Sequence, residues 1–471
     1  MAQMNQSQSA ESHSTGQAFG TPAYRNYVLL ALTFVFTLNF IDRILIGVVA
    51  QPIIDEFQLK DWQFGLLSGF AFALMYSVVG IPIARLAEHA NRVKIIAASI
   101  ILWSAMTALC GVAGSFASLL IFRIGVGIGE AGLTPPANSI IADYFPPRSR
   151  ARAIATYAMG ITLGGVLANL FGGPIAEAFS WREAFLILGI PGVLVGFIVL
   201  FTIKEPPRGY SDPVGTPHLE KRGIADTLSL LAGKKTFWLN VTGATLTAFV
   251  GYAVSNFSAP FFQRVHGMSV ADVAVTVSVP IGLAATAGTF LAGFLTEKIS
   301  KKYPTSVAWI PAVMLIGAVP FYWIGFSAAT PVMATAFVLV GSFLHYGYLG
   351  AQYTISQSVV DARSRATAVA IMLFIVNFIG YGLGPLVVGY MSDVFAGSLL
   401  SDSNLTLAMC KGTDAELLST IGALPMETCK TAAAEGLRQS LRLATTIYGL
   451  AGLFYWWTSR TLDKDIVARM D

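Results

Sequence analysis

Charge is scarce in this chain. Asp, Glu, Lys and Arg make up 12% of its 471 residues against 55% hydrophobic ones, a balance outside the range of water-soluble globular domains. Cysteine is scarcer still, at three residues. No CxxC pair, HExxH or GxSxG occurs, so neither a metalloenzyme nor an intramembrane hydrolase has a visible active site. The GxxxxGK[ST] phosphate loop is absent too, which speaks against ATP-driven pumping by this chain alone. GIGEAG at 127–132 fits the dinucleotide pattern GxGxxG, yet no strand precedes it; inside an apolar run its glycines serve close helix packing. A protein that is not an enzyme, with no cofactor, is the expectation.

What the sequence has in abundance is apolar length. Twelve runs are long enough to cross a hydrocarbon core of about 30 Å as helix. They lie near 26–50, 62–87, 93–113, 118–144, 151–178, 183–203, 236–263, 270–296, 306–326, 331–360, 364–395 and 437–459. The runs are continuous and rich in Ala, Gly, Leu and Phe, whereas a membrane β-barrel would show short alternating segments. The predicted fold class is an all-α membrane protein of twelve transmembrane helices.

Orientation follows from Lys and Arg. With the N-terminus inside, the short loops on the cytoplasmic side carry Arg85, Arg92, Lys94, Arg148, Arg150, Arg152, Lys298, Lys301, Lys302, Arg363 and Arg365. The opposite side has chiefly Lys60, Arg182 and Arg264. The net charge of +4 is thus a topology signal, and no nucleic-acid partner is implied. Both termini are expected in the cytoplasm, with the chain in a bacterial inner membrane.

Three composition breaks divide the chain. Residues 1–23 are polar, without a signal-peptide profile, and read as a disordered tail. The stretch 204–235 gathers Pro, Gly and charge as a cytoplasmic linker between six-helix bundles at 24–203 and 236–460. A loop at 396–436 lies outside the membrane, and 461–471 form a second tail. Cys410 and Cys429 both fall in the loop; in an oxidising compartment they could pair, but sequence alone leaves this open.

The halves echo each other. ARLAEHANRVK (84–94) and GFLTEKISKK (293–302) place a small residue, an acid and a base at identical spacing in Ala84, Glu88, Arg92 and in Gly293, Glu297, Lys301. RSRARAIA (148–155) and RSRATAVA (363–370) each follow an acid, Asp143 or Asp361, and contain Arg152 and Arg365. A parallel six-plus-six duplication points to a transporter that rocks two halves around a midplane site. Topology explains the bases but not the acids at fixed offsets. If helical, Glu88 and Arg92 share a face, and together with Lys94, Asp143, Glu297, Lys301, Asp361 and the two arginines they are expected to form a charged latch between helix ends.

These loops resemble the signature loop of the major facilitator superfamily, with Ala84, Glu88 and His89 standing where Gly, Asp and Arg are usual. Within it, NFIDR (39–43), the NR at 91–92 and RIGVGIGEA (123–131) resemble the Spinster group of lipid transporters. The resemblance implies two six-helix bundles working by alternating access, a latch that stabilises the outward-facing state, and a lysophospholipid or sphingoid-type substrate. Membrane lipids and protons are the other expected partners, and the monomer is the expected unit. The wider superfamily leaves a small organic anion, sugar or drug open as cargo, and a non-transporting receptor on the same fold as a further alternative.

Four charges lie inside apolar runs of the first half: Asp42, Arg43, Arg123 and Glu130. A charge at the bilayer centre costs roughly 2.5–3.5 kcal/mol even on lenient insertion scales, so each needs a partner or a function. By helical rise, Asp42 lies ~12 Å from the outer membrane boundary, between Arg123 at ~6 Å and Glu130 at ~16 Å. Asp42 is therefore expected to pair with Arg123 in one state, and Glu130 to take up a proton. Burial and a neighbouring arginine act oppositely on a carboxylate's proton affinity. An arginine stays charged, so the switch must be Asp42 or Glu130. Arg43 sits about 100° round the helix from Asp42 and need not share its cavity. The competing reading is an ion cluster that only welds two helices together.

Asn39 in the first half and Tyr252, Asn256, Tyr348, Gln352 and Asn377 in the second are candidate substrate contacts, although polar residues in membrane helices also serve as interhelical glue. His345 reads as a packed or hydrogen-bonded histidine rather than a proton carrier.

Overall fold

A chain of continuous apolar runs must satisfy its backbone hydrogen bonds within each run when lipid surrounds it, and helices do so. The computed structural model describes residues 19–211, 224–361, 363–401, 403–410 and 414–466, and among these every regular element is helical. The expected tail up to residue 18, the linker core 212–223 and the last residues 467–471 lie outside the described residues.

The first half comprises α1 (Pro22–Val48), the short α2 (Ala50–Phe57), α3 (Asp61–His89), α4 (Arg92–Cys110), α5 (Phe116–Tyr144), α6 (Pro147–Ala178) and α7 (Trp181–Thr202). A short α8 (Ile224–Ala232) leads into α9 (Lys235–His266), α10 (Val270–Ser300), α11 (Ser306–Ser327), α12 (Pro331–Ser358) and α13 (Arg365–Ser401). Then follow α14 (Asp414–Thr420) and α15 (Ala423–Asp465). Thr21, Asn91, Ser115, Ser180 and Thr330 cap helix starts with side-chain oxygens, and Pro22, Pro147 and Pro331 occupy first turns.

Eleven of these helices are long and apolar enough to span a membrane. The twelfth, α15, is 43 residues long, but Arg442, its threonines and its polar start dilute its hydropathy. It begins at Ala423 and α13 runs to Ser401, so the loop predicted over 396–436 is helical at both ends. The α15 extension carries Glu427, Lys430 and Glu435, charges that apolar length alone reads as loop. Cys410 and Cys429 form a disulfide, their Cα atoms 5.4 Å apart, while Cys110 is free and buried in α4.

Within the halves, α1 packs on α6 and α4 on α7, and α15 packs on α9, α11 and α13. Across the halves α3 lies along α13, α6 along α10, and α1 meets α9. Gly65 in α3 and Gly389 in α13 allow the closest approach: a Cβ on either would come within 2.3 Å of a carbonyl oxygen, of Pro385 and of Asp61 respectively.

A polar latch closes this seam at one end. Arg264, at the end of α9, donates from both terminal nitrogens to the Asp61 carboxylate at 2.8 Å and from Nε to Gln51 Oε1 at 2.7 Å. Ser392 Oγ donates to Asp61 Oδ2 at 2.6 Å. The Asp393 carboxylate accepts from the backbone N–H groups of Asp61 and Trp62 at 3.2 and 3.0 Å, so a residue of α13 caps the N-terminus of α3. Close by, Glu177 at the end of α6 accepts from the Ala271 N–H of α10 at 2.7 Å.

Candidate functional site

Midway along the bundle, Arg43 of α1 reaches across to α5. Its Nε donates to Glu130 Oε2 at 2.5 Å, and the carboxylate side chain is fully buried. The guanidinium lies against the rings of Phe40, Phe72 and Tyr76, 5.2, 5.0 and 4.6 Å from their centroids. A planar, weakly hydrated cation suits such an aromatic lining, and the pair neutralises both charges.

Asp42 and Arg123 are buried beside this pair. The expected Asp42–Arg123 ion pair is not what this structure forms: Arg123 Nη1 reaches the backbone carbonyl of Asp42, at 3.5 Å, and the ion pair is Arg43–Glu130. Helical rise fixes depth but not which neighbour a side chain meets; rotation about α1 turns Asp42 inward towards Thr107 and Trp103 of α4, leaving Arg43 to face α3 and α5. Arg123 also lies over Phe72, 5.5 Å from its centroid. Two acids and two bases thus share one small buried region. Polar capacity remains unused: Glu130 Oε1, Arg123 Nε and Nη2, and both amide atoms of the nearby Asn39 are buried without a hydrogen-bond partner.

The second half meets this cluster with rings. Tyr252 of α9 stacks on Tyr381 of α13 at 4.2 Å, and Tyr381 touches Phe72 at 5.3 Å. Phe70 meets Phe378, and Phe64 meets Phe257, so the seam is aromatic over several turns. Tyr381 closes a stretch of π-helix, Val376–Tyr381, that also carries the half-buried Asn377; α3 has a matching π stretch at Leu66–Phe70. Asn256 Nδ2 donates to the Tyr252 carbonyl of its own helix at 2.8 Å. Tyr348 and Gln352 are buried in α12, and Gln352 Oε1 lacks a partner. Of the candidate contacts, Asn39 and Tyr252 therefore adjoin the ionic cluster. His345 bonds Tyr322 Oη through Nδ1 at 2.8 Å and stacks on Tyr448.

Arg92, at the far end of the first half from Asp61, is completely buried. It donates to Asp143 Oδ2 at 2.5 Å, Ser139 Oγ at 2.7 Å, Glu205 Oε1 at 2.6 Å and the Pro206 carbonyl at 2.8 Å. Asp143 also accepts from the Gly209 N–H at 2.8 Å, which ties the start of the linker to the same cluster. The expectation that Glu88 and Arg92 share a helix face is corrected: α3 ends at His89, Ala90 is extended, and Asn91 caps a new helix, so the four-residue spacing spans a turn. Glu88, Lys94, Arg152, Glu297, Lys301 and Arg365 are exposed, and Asp361 Oδ1 accepts from the Ser364 N–H at 3.1 Å, capping the start of α13.

Sequence reasoning passed over Asp61, Asp393, Glu205, Tyr76 and Tyr381, and read Arg264 only as a topology charge. Asp61 and Arg264 stand at span ends, where charge is unremarked. The tyrosines look like any ring in an apolar run.

A family model described as Major Facilitator Superfamily matches residues 32–396. A crystal structure of a bacterial homologue of the human lysosomal transporter Spinster, inward-facing and unoccupied, is 46% identical, with a TM-score of 0.88 over 96% of this chain and 100% of that one. An MFS-type efflux pump of Mycolicibacterium smegmatis is 31% identical over 78% of this chain and 84% of its own length. Protein spinster of Drosophila melanogaster is 27% identical over 93% of this chain and 77% of its own. On these matches the chain belongs to the Major Facilitator Superfamily, is a membrane transporter rather than an enzyme, and resembles the Spinster proteins within that family.

Proposed function

We propose that this transporter is proton-coupled and carries an amphipathic, lipid-like substrate of lysophospholipid or sphingoid type, with Glu130 as the proton switch. The observation behind this reading is the Arg43–Glu130 pair, buried in the first half and faced by rings from the second. Such a site offers charge to a headgroup on one side and aromatic surface to a chain on the other. When the halves rock apart, Tyr381 of α13 leaves Phe72 beside Arg43, the pair gains solvent, and the carboxylate's proton affinity changes with it. A proton on Glu130 frees Arg43 for an anionic headgroup; when the headgroup departs, Glu130 gives up that proton and its carboxylate takes Arg43 back. The unused polar capacity of Arg123, Asn39 and Glu130 Oε1 supports the same reading.

With the termini in the cytoplasm, the Asp61 latch closes the outer face, and this structure is the inward-facing member of an alternating-access pair. The resemblance to an inward-facing Spinster homologue supports that orientation.

Internal pH in proteoliposomes tests the reading, with lysophospholipid and then an uncharged sugar offered outside, for wild type and Glu130→Gln. Lipid is expected to move protons, and the variant to lose that coupling while folding normally. Lipid flux without a pH change would make the protein a facilitator, and a response to the sugar alone would overturn the lipid assignment.

A further inference from the structure

At the end of the molecule far from Asp61, the first turns of α1 and α6 diverge around a cleft of about 530 Å³. Arg25, Arg148 and Arg152 line it, with Leu29 and Phe145 on its apolar wall. Arg25 is half-buried, whereas Arg148 and Arg152 are exposed. Among the described residues none of the three joins an ion pair, in contrast to Arg43, Arg92 and Arg264.

The arrangement runs against helix electrostatics. The N-terminal turn of a helix carries partial positive charge and favours acids, yet neither α1 nor α6 has an acid in its first turn. Pro146 precedes α6 and offers no side-chain cap, so the Arg148 N–H belongs to the helix's uncapped first turn. Three arginines and two positive helix ends therefore converge on one cleft, and among the described residues no acid pairs with them, a geometry complementary to a phosphate ester.

We propose that this cleft binds the phosphate headgroup of an anionic phospholipid from the adjoining leaflet, held by Arg25, Arg148 and Arg152, with Leu29 and Phe145 against the start of its acyl chains. The shared chemistry is phosphate, and the apolar wall favours a lipid over a free anion. The site is separate from the Arg43–Glu130 pair: Arg25 and Arg43 share a face of α1 but lie about five turns apart.

Native mass spectrometry of the purified full chain, equilibrated with equal phosphatidylglycerol and phosphatidylcholine, tests the assignment. Wild type should retain phosphatidylglycerol about tenfold in preference, as expected for several basic groups acting on one anionic headgroup. Combined Arg25→Gln, Arg148→Gln and Arg152→Gln should abolish that preference. Lys298→Gln, Lys302→Gln and Arg363→Gln, which remove the same charge elsewhere on that end, should keep it. Equal loss in both triple variants would reduce the effect to general surface charge and overturn the site, as would equal retention of the two lipids by wild type. Displacement of phosphatidylglycerol by millimolar inorganic phosphate would reassign the cleft to a free anion. Arg25→Gln alone, a milder change, should lower the preference several-fold, and no effect would remove it from the site. Retention is read without substrate or gradient, so the lipid site and the transport reading stand or fall separately.

Discussion

Arg43 carries a full charge into the bundle and meets it with one carboxylate and three rings, and that geometry depends on a planar guanidinium. Lysine would keep the charge but lose both the fork and the stacking. Arg43→Lys is expected to fold normally and to lose at least about tenfold in counterflow, the scale of one misplaced site group; unchanged counterflow would show that charge alone suffices. Arg92 poses the opposite case, because its partners Asp143 and Glu205 hold helix ends together. Arg92→Gln leaves two acids without their base and should cost about 3–5 kcal/mol, seen as a lower unfolding temperature. Asp42, Arg123 and Glu130 were legible in the sequence because charges inside apolar runs stand out against lipid cost. The partner choice was not legible: it depends on rotation about α1, and one residue's step separates Asp42 from Arg43.

The element scale shows a similar division. Apolar length located the eleven candidate spans among the described residues because lipid imposes a minimum apolar length, but it carries no record of backbone pattern. It thus missed the π stretches of α3 and α13 and the helical extensions of α13 and α15 into the predicted outer loop. Small residues decide how closely the elements approach. Gly65 and Gly389 bring α3 and α13 to backbone contact beside the latch, and a methyl group on either would overlap a carbonyl. Gly65→Ala should therefore widen the distance between labels placed near Gln58 and Ser398 by electron–electron resonance. An unchanged distance would mean that helix tilt absorbs the methyl and that the seam is less tightly packed than its contacts indicate.

For the molecule as a whole, the latch is one side of a balance between two ways of closing. Asp61, Arg264, Ser392 and Asp393 join the halves through hydrogen bonds that a rocking motion must break together. Arg264→Gln should shift the population towards opening at that end, read from the same label pair, and should slow any transport that needs a closed state there. If the distance distribution matches wild type, the aromatic seam alone holds this end. The sequence predicted a two-half carrier from its duplication, but not this latch, because the acid and base that form it lie in different halves at positions that topology alone would explain. One native feature suits these measurements. The chain's two other cysteines are joined to each other, and Cys110 is buried in α4. A maleimide or nitroxide reagent therefore meets almost no background in the folded, oxidised protein, and engineered reporter thiols can be added without first rebuilding the chain as a cysteine-free variant.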